Sequence, residues 1–193
     1  MEGPVEFIGG LGNPGPNYER KRHKVGADLV LEQEKALHTE HKHESKVFGD
    51  TARVSIGGRD VRLLIPSTFM NLSGKSVAAL VRFYQIAPEN ILVVHDELDM
   101  DPGIVRFKKG GGHGGHNGLR DTIKSLGNNK EFARLRIGIG HPGQANLVAD
   151  YVLKKASPSD QQLIANSIDD ALRHLPTAVE GHWEKAMTAL PSL

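Results

Sequence analysis

The chain has 193 residues, which is enough for one domain with a sizeable hydrophobic core and short for two. It carries 24 Lys and Arg against 23 Asp and Glu, a formal net charge of +1, and 38% of its residues are hydrophobic, as in an ordinary globular protein. It contains no cysteine, which excludes disulfides, a thiolate nucleophile and a cysteine-ligated zinc site, and which fits a reducing compartment.

Strand patterns alternate with helical patterns along the chain. The runs that predict strands are, in chain order, VEFIGG (5–10), KVFGDTARVSI (46–56), RDVRLLIP (59–66), ILVVHD (91–96), IVRFK (104–108) and FARLRIGIG (132–140). Gly57-Gly58 lies between two of these runs and predicts a β-hairpin. The runs that predict helices are the segment that begins near His23, then 73–85, 116–127 and two stripes that lie before and after Pro176.

Ser157-Pro158 is a typical helix start, so we expect the C-terminal helices to occupy 157–190. Strands that alternate with helices, together with one hairpin, indicate the α/β class: a mixed, twisted β-sheet with helices on both faces. We see no linker and no internal repeat, and therefore predict a single globular domain that includes residues 1–193.

The glycine-rich turn GGLGNPG (9–15) follows the first strand and contains the spacing of a dinucleotide-binding fingerprint. That fingerprint needs backbone N–H groups from a helix that begins within the turn, and Pro14 and Pro16 supply none. The turn is better suited to present the amide of Asn13 at the tip of the strand. The alternative is that Asn13 is an ordinary turn residue.

Three further segments contain candidate functional residues, each with a structural alternative. His23 precedes the first helix, where a positive helix end would help to keep it a neutral general base, or it is a surface residue. Asp96 ends a buried strand and could orient a histidine, or it belongs to a solvated acidic loop. Asn71 could hold a polar substrate, or it caps the helix that follows.

The segment KKGGGHGGHNG (108–118) contains six glycines around His113, His116 and Asn117. It is open to three interpretations: a metal site at His113 and His116 shared with His95 or Asp96, a phosphate cradle, or a mobile loop that carries part of an active site. Eight of the ten charged side chains between residues 104 and 136 are basic, which indicates one local contact for an anion such as phosphate, or a solvated basic face.

The motifs GLGNPG, RHKVG, STFMNLSGKSV, VHDELD, FKKGGGHGGHNGLRD and RLRIGIGHPG occur in the order typical of bacterial-type peptidyl-tRNA hydrolases. The chain resembles that family from about residue 7 to about residue 153, and beyond that mainly in helical character. The resemblance implies a monomeric cytoplasmic esterase that cuts peptide from tRNA and recycles tRNA from abandoned translation, without metal or cofactor. An RNA-binding module without turnover and a metallohydrolase that uses His95, His113 and His116 are the alternatives.

The resemblance also implies roles for individual residues. His23 is similar to the base that activates water, Asp96 to the group that stabilises it, and Asn13 to the residue that separates N-blocked peptidyl-tRNA from free aminoacyl-tRNA. The residues implied to contact the tRNA CCA end or the peptide, or to flank that cleft, are Tyr18, Phe69, Met70, Asn71, His116 and Asn117.

Lys108 and Arg136 resemble the basic pair that clamps the 5′ phosphate of tRNA. A lysine that the family often has after GHPG is absent here, where the sequence reads Gln144-Ala145-Asn146. No membrane or protein partner is implied. No basic segment followed by an apolar one opens the sequence, so we expect no secretory signal.

Overall fold

The computed structural model of the protein describes residues 3–190. Its strands are β1 Phe7–Gly10, β2 Lys42–Glu44, β3 Gly49–Ile56, β4 Arg59–Pro66, β5 Ile91–Glu97, β6 Val105–Lys109 and β7 Ala133–Gly138. Its α-helices are α1 Val25–Ala36, α2 Ser73–Tyr84, α3 Asn117–Ser125, α4 Val148–Val152, α5 Pro158–Val179 and α6 Trp183–Ala189. None of the helices in this described part is both long and apolar enough to cross a membrane.

All seven strands form one sheet in the order β2-β3-β4-β1-β5-β7-β6. The four central strands β4, β1, β5 and β7 run parallel, whereas β2, β3 and β6 pair with their neighbours in antiparallel fashion. The chain leaves β1 toward one side of the sheet and later continues at β5 on the other side. In such sheets the crevice for ligands lies beyond the carboxyl ends of the strands next to this reversal.

Each face of the sheet is covered by its own hydrophobic core. Residues of α1, α5 and α6 pack on one face, and residues of α2 and α3 pack on the other. Consecutive residues of the buried strands alternate between the two cores, as Phe7 and Ile8 do. The predicted fold class, a mixed α/β sheet with helices on both faces, is confirmed.

Two local differences from the predicted elements have physical reasons. The short strand β2 was not predicted, because its residues are mostly exposed and its sequence, Lys-His-Glu, has no apolar alternation. Pro176 does not separate two helices but lies inside α5, which continues to Val179. The start of α5 is as predicted, since the Ser157 hydroxyl accepts a hydrogen bond from the Asp160 backbone N–H at 3.2 Å.

Helix α1 packs unusually close to the centre of the sheet through two glycines. A Cβ atom on Gly26 would lie 2.3 Å from the carbonyl oxygen of Val94 in β5, and one on Gly10 would lie 2.3 Å from the carbonyl oxygen of Gly26. Only glycine allows backbones to approach this closely. The contact fixes the start of α1 directly against the ends of β1 and β5.

Candidate active site

The carboxylate of Asp96 lies between two imidazole rings from distant parts of the chain. Asp96 is near the end of β5, His23 lies in a single 3₁₀ turn (Arg22–Lys24) before α1, and His116 is the N-cap residue of α3. His23 Nδ1 is 2.7 Å from Asp96 Oδ2, and His116 Nε2 is 2.8 Å from Asp96 Oδ1. We call these three residues the Asp96 cluster. Asp96 is 3% exposed, so the two rings replace water around its charge.

The hydrogen bonds of His116 leave it no free ring nitrogen. Its Nε2 faces Asp96, and its Nδ1 accepts a hydrogen bond from the Leu119 backbone N–H at 3.2 Å, which caps α3. An acceptor nitrogen carries no proton, so His116 is a neutral ring that donates Nε2–H to Asp96. His116 therefore holds the carboxylate in place and has no nitrogen left to take a proton from water.

His23 keeps one nitrogen available for chemistry. Its Nδ1–H donates to Asp96, which leaves the lone pair on Nε2 in the neutral ring. Burial disfavours the imidazolium, but the negative charge of Asp96 and the hydrogen bond to it outweigh burial and raise the pKa of His23. This direction is opposite to the one expected from the helix N-terminus, because a full charge at hydrogen-bond distance exceeds a partial helix charge.

Asp96 itself remains ionised in this setting. Burial alone would raise the pKa of its carboxyl, but the electrostatic attraction of the His116 and His23 imidazoles and the hydrogen bonds that they donate lower the pKa well below its usual range. The neighbouring ring of His95 is a different case. Its Nδ1 donates to the Asp96 carbonyl oxygen at 2.7 Å, and burial lowers the pKa of His95 to about 3, so that ring is neutral.

The metal-binding set considered from the sequence, His95, His113 and His116, is not brought together. Within residues 3–190, the only group of three or more metal-ligating residue types whose donor atoms lie within 4.8 Å of one another is the Asp96 cluster itself. His113 Nδ1 instead accepts a hydrogen bond from the Gly115 backbone N–H at 2.9 Å. An ion at the Asp96 cluster would have to displace the protons that His23 and His116 share with the carboxylate.

A cleft of about 280 Å³ opens over the Asp96 cluster. Asn117, the first residue of α3, lies at its wall with its side chain exposed, and its Oδ1 accepts a hydrogen bond from Arg120 at 2.8 Å. The opposite wall comes from α4 and the turn before it, through Ala145, Val148 and Val152. Sequence reasoning missed the α4 wall, since five residues of helix are too few for a periodic pattern.

Asn13 presents only one end of its amide. Its Oδ1 accepts a hydrogen bond from the Met70 backbone N–H at 2.6 Å, and its side chain is largely buried. The acceptor is therefore occupied, and the Nδ2 donors are the end left for a ligand. The sequence predicted a side chain with both a donor and an acceptor to offer. Met70 is itself buried, and its sulfur packs against Gly118. A Cβ atom at Gly118 would lie only 2.5 Å from that sulfur.

Tyr18 follows Asn13 by five residues, and Phe69 and Asn71 flank Met70, whose backbone binds Asn13. None of these three residues lines the cleft over Asp96. The rings of Tyr18 and Phe69 meet edge to face, with centroids 6.1 Å apart, and Phe69 is 55% exposed. Asn71 lies in the 3₁₀ turn Met70–Leu72 with an exposed side chain, and α2 begins without a side-chain cap. The structural alternative for Asn71, a helix cap, is therefore wrong.

Backbone conformation explains the glycines of the segment 110–115. Four of them have positive φ angles, namely 69° at Gly110, 110° at Gly111, 56° at Gly114 and 83° at Gly115. L-residues with side chains rarely adopt this region, so these turns require glycine. The turns bring the chain from β6 to the N-cap His116, whose backbone N–H donates to the His113 carbonyl at 2.9 Å.

Lys108 and Arg136 line a second cavity, of about 300 Å³, which we call the basic pocket. The register of β6 and β7 places Lys108 opposite Arg134 and Arg106 opposite Arg136, so four basic side chains share one face. Two acidic side chains, Glu97 and Asp99, also line the pocket, and Glu97 Oε1 is 3.5 Å from Arg136 Nη1. Like charges placed opposite each other across strands are destabilising, which favours an anionic ligand here.

Arg134 also lines the basic pocket, and sequence reasoning did not assign it a role. Its guanidinium donates to the carbonyl oxygens of Lys130, Phe132 and Gly111, the last at 2.6 Å. Burial lowers the pKa of Arg134 to about 10, still far above neutrality. The sequence did contain a signal for its role in the pocket. Arg134 and Arg136 are two residues apart on a predicted strand, and this spacing places both side chains on one face.

Comparisons with known proteins agree with this architecture. The model of the family described as Peptidyl-tRNA hydrolase matches residues 7–192. The peptidyl-tRNA hydrolase of Teredinibacter turnerae is 57% identical over 98% of each chain, and that of Vibrio parahaemolyticus is 54% identical over 98% of this chain and 97% of its own. The crystal structure of peptidyl-tRNA hydrolase from Acinetobacter baumannii superposes with a TM-score of 0.93 at 47% identity, covering 97% of this chain and 95% of that one. The chain belongs to the peptidyl-tRNA hydrolase family.

Proposed function

We propose that this chain, a peptidyl-tRNA hydrolase by family, hydrolyses the peptide–tRNA ester with His23 as the general base. The observation that carries the assignment of the base is the hydrogen bond of 2.7 Å between His23 Nδ1 and Asp96, which leaves Nε2 to receive a proton. Water loses a proton to the base and attacks the ester carbonyl carbon. The bond from that carbon to the ribose oxygen of tRNA then breaks, and the imidazolium returns the proton to the leaving oxygen, which regenerates the base. General-base catalysis of this kind contributes roughly 10²–10⁴-fold.

Asp96 and His116 support His23 in this proposal. As water attacks the ester carbonyl, His23 becomes an imidazolium, and the buried negative charge of Asp96 stabilises it. His116 holds the second carboxylate oxygen at 2.8 Å and so prevents Asp96 from rotating away. His116 acts as a positioning residue, because both of its nitrogens are engaged.

Recognition of the substrate near the ester is assigned to amide and aromatic side chains. Asn13 offers N–H donors, which suit a carbonyl of an N-blocked aminoacyl group, and Asn117 lies at the cleft wall beside the base. Exposed Phe69 and its partner Tyr18 offer surfaces on which unpaired CCA bases stack. Asn71 extends this surface, and buried Met70 supports it from below by holding Asn13.

The basic pocket is assigned to the 5′ phosphate of tRNA. Lys108 and Arg136 supply the charge, and the Nε atoms of Arg134 and Arg136 are buried donors without a hydrogen-bond partner in the part of the chain described. A phosphate contact positions the ester without reading base sequence, so tRNAs of any sequence serve as substrates. Ala145 stands where the family often has a lysine that helps to hold tRNA. It lines the cleft over the Asp96 cluster and not the basic pocket, so tRNA would be held there with one positive charge fewer.

The remaining expectations follow from the substrate. Peptidyl-tRNA arises in translation, so we assign the enzyme to the cytoplasm, as a monomeric single domain that needs no protein partner and no cofactor. A glycine segment that bends through four positive φ angles would close over a flexible CCA end beside His116 and Asn117, while His116 keeps its hydrogen bonds to Asp96 and Leu119.

The test compares N-acetyl-aminoacyl-tRNA with free aminoacyl-tRNA, each followed for ester cleavage in the presence of EDTA. We expect rapid cleavage of the blocked substrate alone, because the N-block is read and no labile metal takes part. Loss of activity in EDTA would support a metallohydrolase instead. Binding of tRNA without cleavage of either substrate would support the RNA-binding module, and Asn13→Ala should raise the relative cleavage of the free substrate.

A further inference from the structure

Two basic segments, 20–22 and 154–155, meet at the border of the cleft. Lys21 pairs with Lys155 in an isolated antiparallel β-bridge. His23, which lines the cleft, directly follows the first segment, and α4, which walls the cleft, ends two residues before the second. Neither segment lines the basic pocket. Four of these side chains form what we call the second basic surface: Arg20, Lys21, Lys154 and Lys155.

The charges of the second basic surface have no partner within residues 3–190. All of its side chains except that of Lys21 are exposed, and none of the four forms an ion pair or a side-chain hydrogen bond in this described part. Three acidic side chains line a hollow between α1 and α5 together with residues 20–22: Asp28, Glu32 and Asp169. None of these acids forms an ion pair with the surface, so its positive charges remain available to a ligand from solvent.

The bridge places like charges opposite each other. Lys21 and Lys155 are partners in the register, so their side chains share one face, and like charges in this arrangement are destabilising. Arg22 between them and the cleft is already engaged. Its guanidinium stacks on the ring of Tyr151 in α4 at 3.7 Å and donates to the Tyr151 carbonyl oxygen at 3.0 Å. Arg22 therefore holds the second basic surface beside the wall of the cleft.

A polyanion that enters the cleft must pass close to this surface. Nucleic acids carry a negative charge on every nucleotide, and exposed charges attract each other within a Debye length of about 8 Å at physiological salt. The basic pocket assigned to the 5′ phosphate lies at β6 and β7, whereas the second basic surface lies beside α1 and α4. A phosphate bound at the second surface would therefore be a different one.

We propose that the second basic surface contacts backbone phosphates of the tRNA other than its 5′ phosphate, an inference that rests on the proposed function of the cleft. The substrate is then held from two borders of the cleft. Contacts with phosphate add affinity without reading base sequence. The surface also supplies charge near α4, where Ala145 replaces the lysine that the family often has.

The experiment measures the Kd of deacylated tRNA, with and without its 5′ phosphate, over a range of salt concentrations. Lys154→Gln combined with Lys155→Gln removes two charges and keeps the aliphatic part of each side chain. This double variant should bind both forms of tRNA about 3–10-fold more weakly, by the same factor for each. The slope of log Kd against log salt concentration should fall by roughly 1.4–1.8, as for two lost phosphate contacts. Lys108→Ala, in contrast, should weaken only the tRNA that keeps its 5′ phosphate.

A matched double variant controls for net charge. Lys35→Gln combined with Lys42→Gln changes two exposed lysines that line neither the cleft nor the basic pocket, and should bind both tRNAs as the unaltered chain does. Three results would each overturn the proposal: an unchanged Kd in the Lys154 and Lys155 variant, equal weakening in the control, or weakening confined to the tRNA with a 5′ phosphate. Circular dichroism checks that both variants fold.

The proposed function is tested separately, by cleavage of N-acetyl-aminoacyl-tRNA with the unaltered chain. Absence of cleavage would contradict that function, whereas the Kd comparison, which uses tRNA without an ester, would still decide whether the second basic surface binds phosphate.

Discussion

The Asp96 cluster and the basic pocket are neighbours, since His95 and His113 border both cavities, yet their polar atoms are arranged in opposite ways. In the Asp96 cluster both oxygens of one buried carboxylate are hydrogen-bonded to imidazole rings, at 2.7–2.8 Å. In the basic pocket two guanidinium Nε atoms have no hydrogen-bond partner among residues 3–190, and like charges face each other. The first site is complete without a ligand, whereas the second gains stability from an anion.

On the proposed function, this difference separates the groups that perform the chemistry from the groups that bind tRNA. Groups that must be aligned within tenths of an ångström are fixed by internal hydrogen bonds, because misalignment slows the reaction directly. Groups that hold a distant phosphate need charge more than alignment, because electrostatic attraction declines gradually with distance. Substitutions in the two regions should therefore differ in size and in salt dependence.

The largest effect is expected for His23→Ala. Removing the base should lower kcat for N-acetyl-aminoacyl-tRNA by roughly 10²–10⁴-fold, while tRNA binding and the circular dichroism spectrum stay close to those of the unaltered chain. Single-turnover kinetics measure this loss. Near-normal activity in this variant would remove His23 from its proposed role and leave the Asp96 cluster as a structural feature.

Asp96→Asn should reduce kcat/KM on the order of 10²–10³-fold and also change its pH dependence. In the unaltered chain kcat/KM should fall as pH drops through the pKa of His23, which lies above its usual 6.5. The substitution removes the charge that raises this pKa and leaves burial, which lowers it. The acid limb should therefore move to lower pH, and a limb that stays in place would contradict the pairing of His23 with Asp96.

Lys108→Ala tests the other region and should weaken tRNA binding about 10-fold, with kcat at saturation little changed. The plot of log Kd against log salt concentration should become shallower by about 0.7–1, as for one lost phosphate contact. A minimal ester substrate without a 5′ phosphate should be cleaved almost normally. Lys124→Ala, exposed in the same basic segment but outside the pocket, is the control, and equal losses in both variants would contradict a specific clamp.

The smallest effect is expected for Arg134→Lys. One ammonium group cannot keep the bonds to Lys130, Phe132 and Gly111 together, and each lost bond costs about 0.5–1.5 kcal/mol. Amide hydrogen exchange in the glycine segment should become several-fold faster, with a modest loss of tRNA affinity. Arg106→Lys, exposed on the same face of the sheet, should leave that exchange unchanged.

The sequence predicted the long, strongly patterned elements, and its resemblance to a known family implied the pairing of His23 with Asp96 but not the contact of His116 with Asp96. Apolar runs such as ILVVHD indicate buried strands because hydrophobic burial dominates folding, and ordered motifs located His23, Asp96 and Asn13 along the chain. Strand β2 was missed because its sequence has no alternation of apolar residues. It is held instead by pairing with β3 and by the polar contacts of His41 and His43.

The pKa values and hydrogen-bond partners of the site could not be predicted from the order of the residues along the chain. The pKa of His23 depends on Asp96, which is 73 residues away, and the availability of the Asn13 amide depends on the Met70 backbone, 57 residues away. The structural role of Arg134 depends on the path of the glycine segment. Each of these properties arises from tertiary contacts, whereas propensity and periodicity describe neighbours along the chain.

Gly26 has only a hydrogen atom where it contacts β5, and this close contact sets the spacing between the side chains of His23 and Asp96. His23 comes three residues before Gly26, and Asp96 comes two residues after Val94, whose carbonyl oxygen would lie 2.3 Å from any Cβ on Gly26. The smallest enlargement, Gly26→Ala, must therefore push α1 outward and carry His23 with it. On the proposed function, a change that touches no substrate should then behave in an assay like the loss of His23, so inactivating mutations in this protein need not lie in the proposed active site.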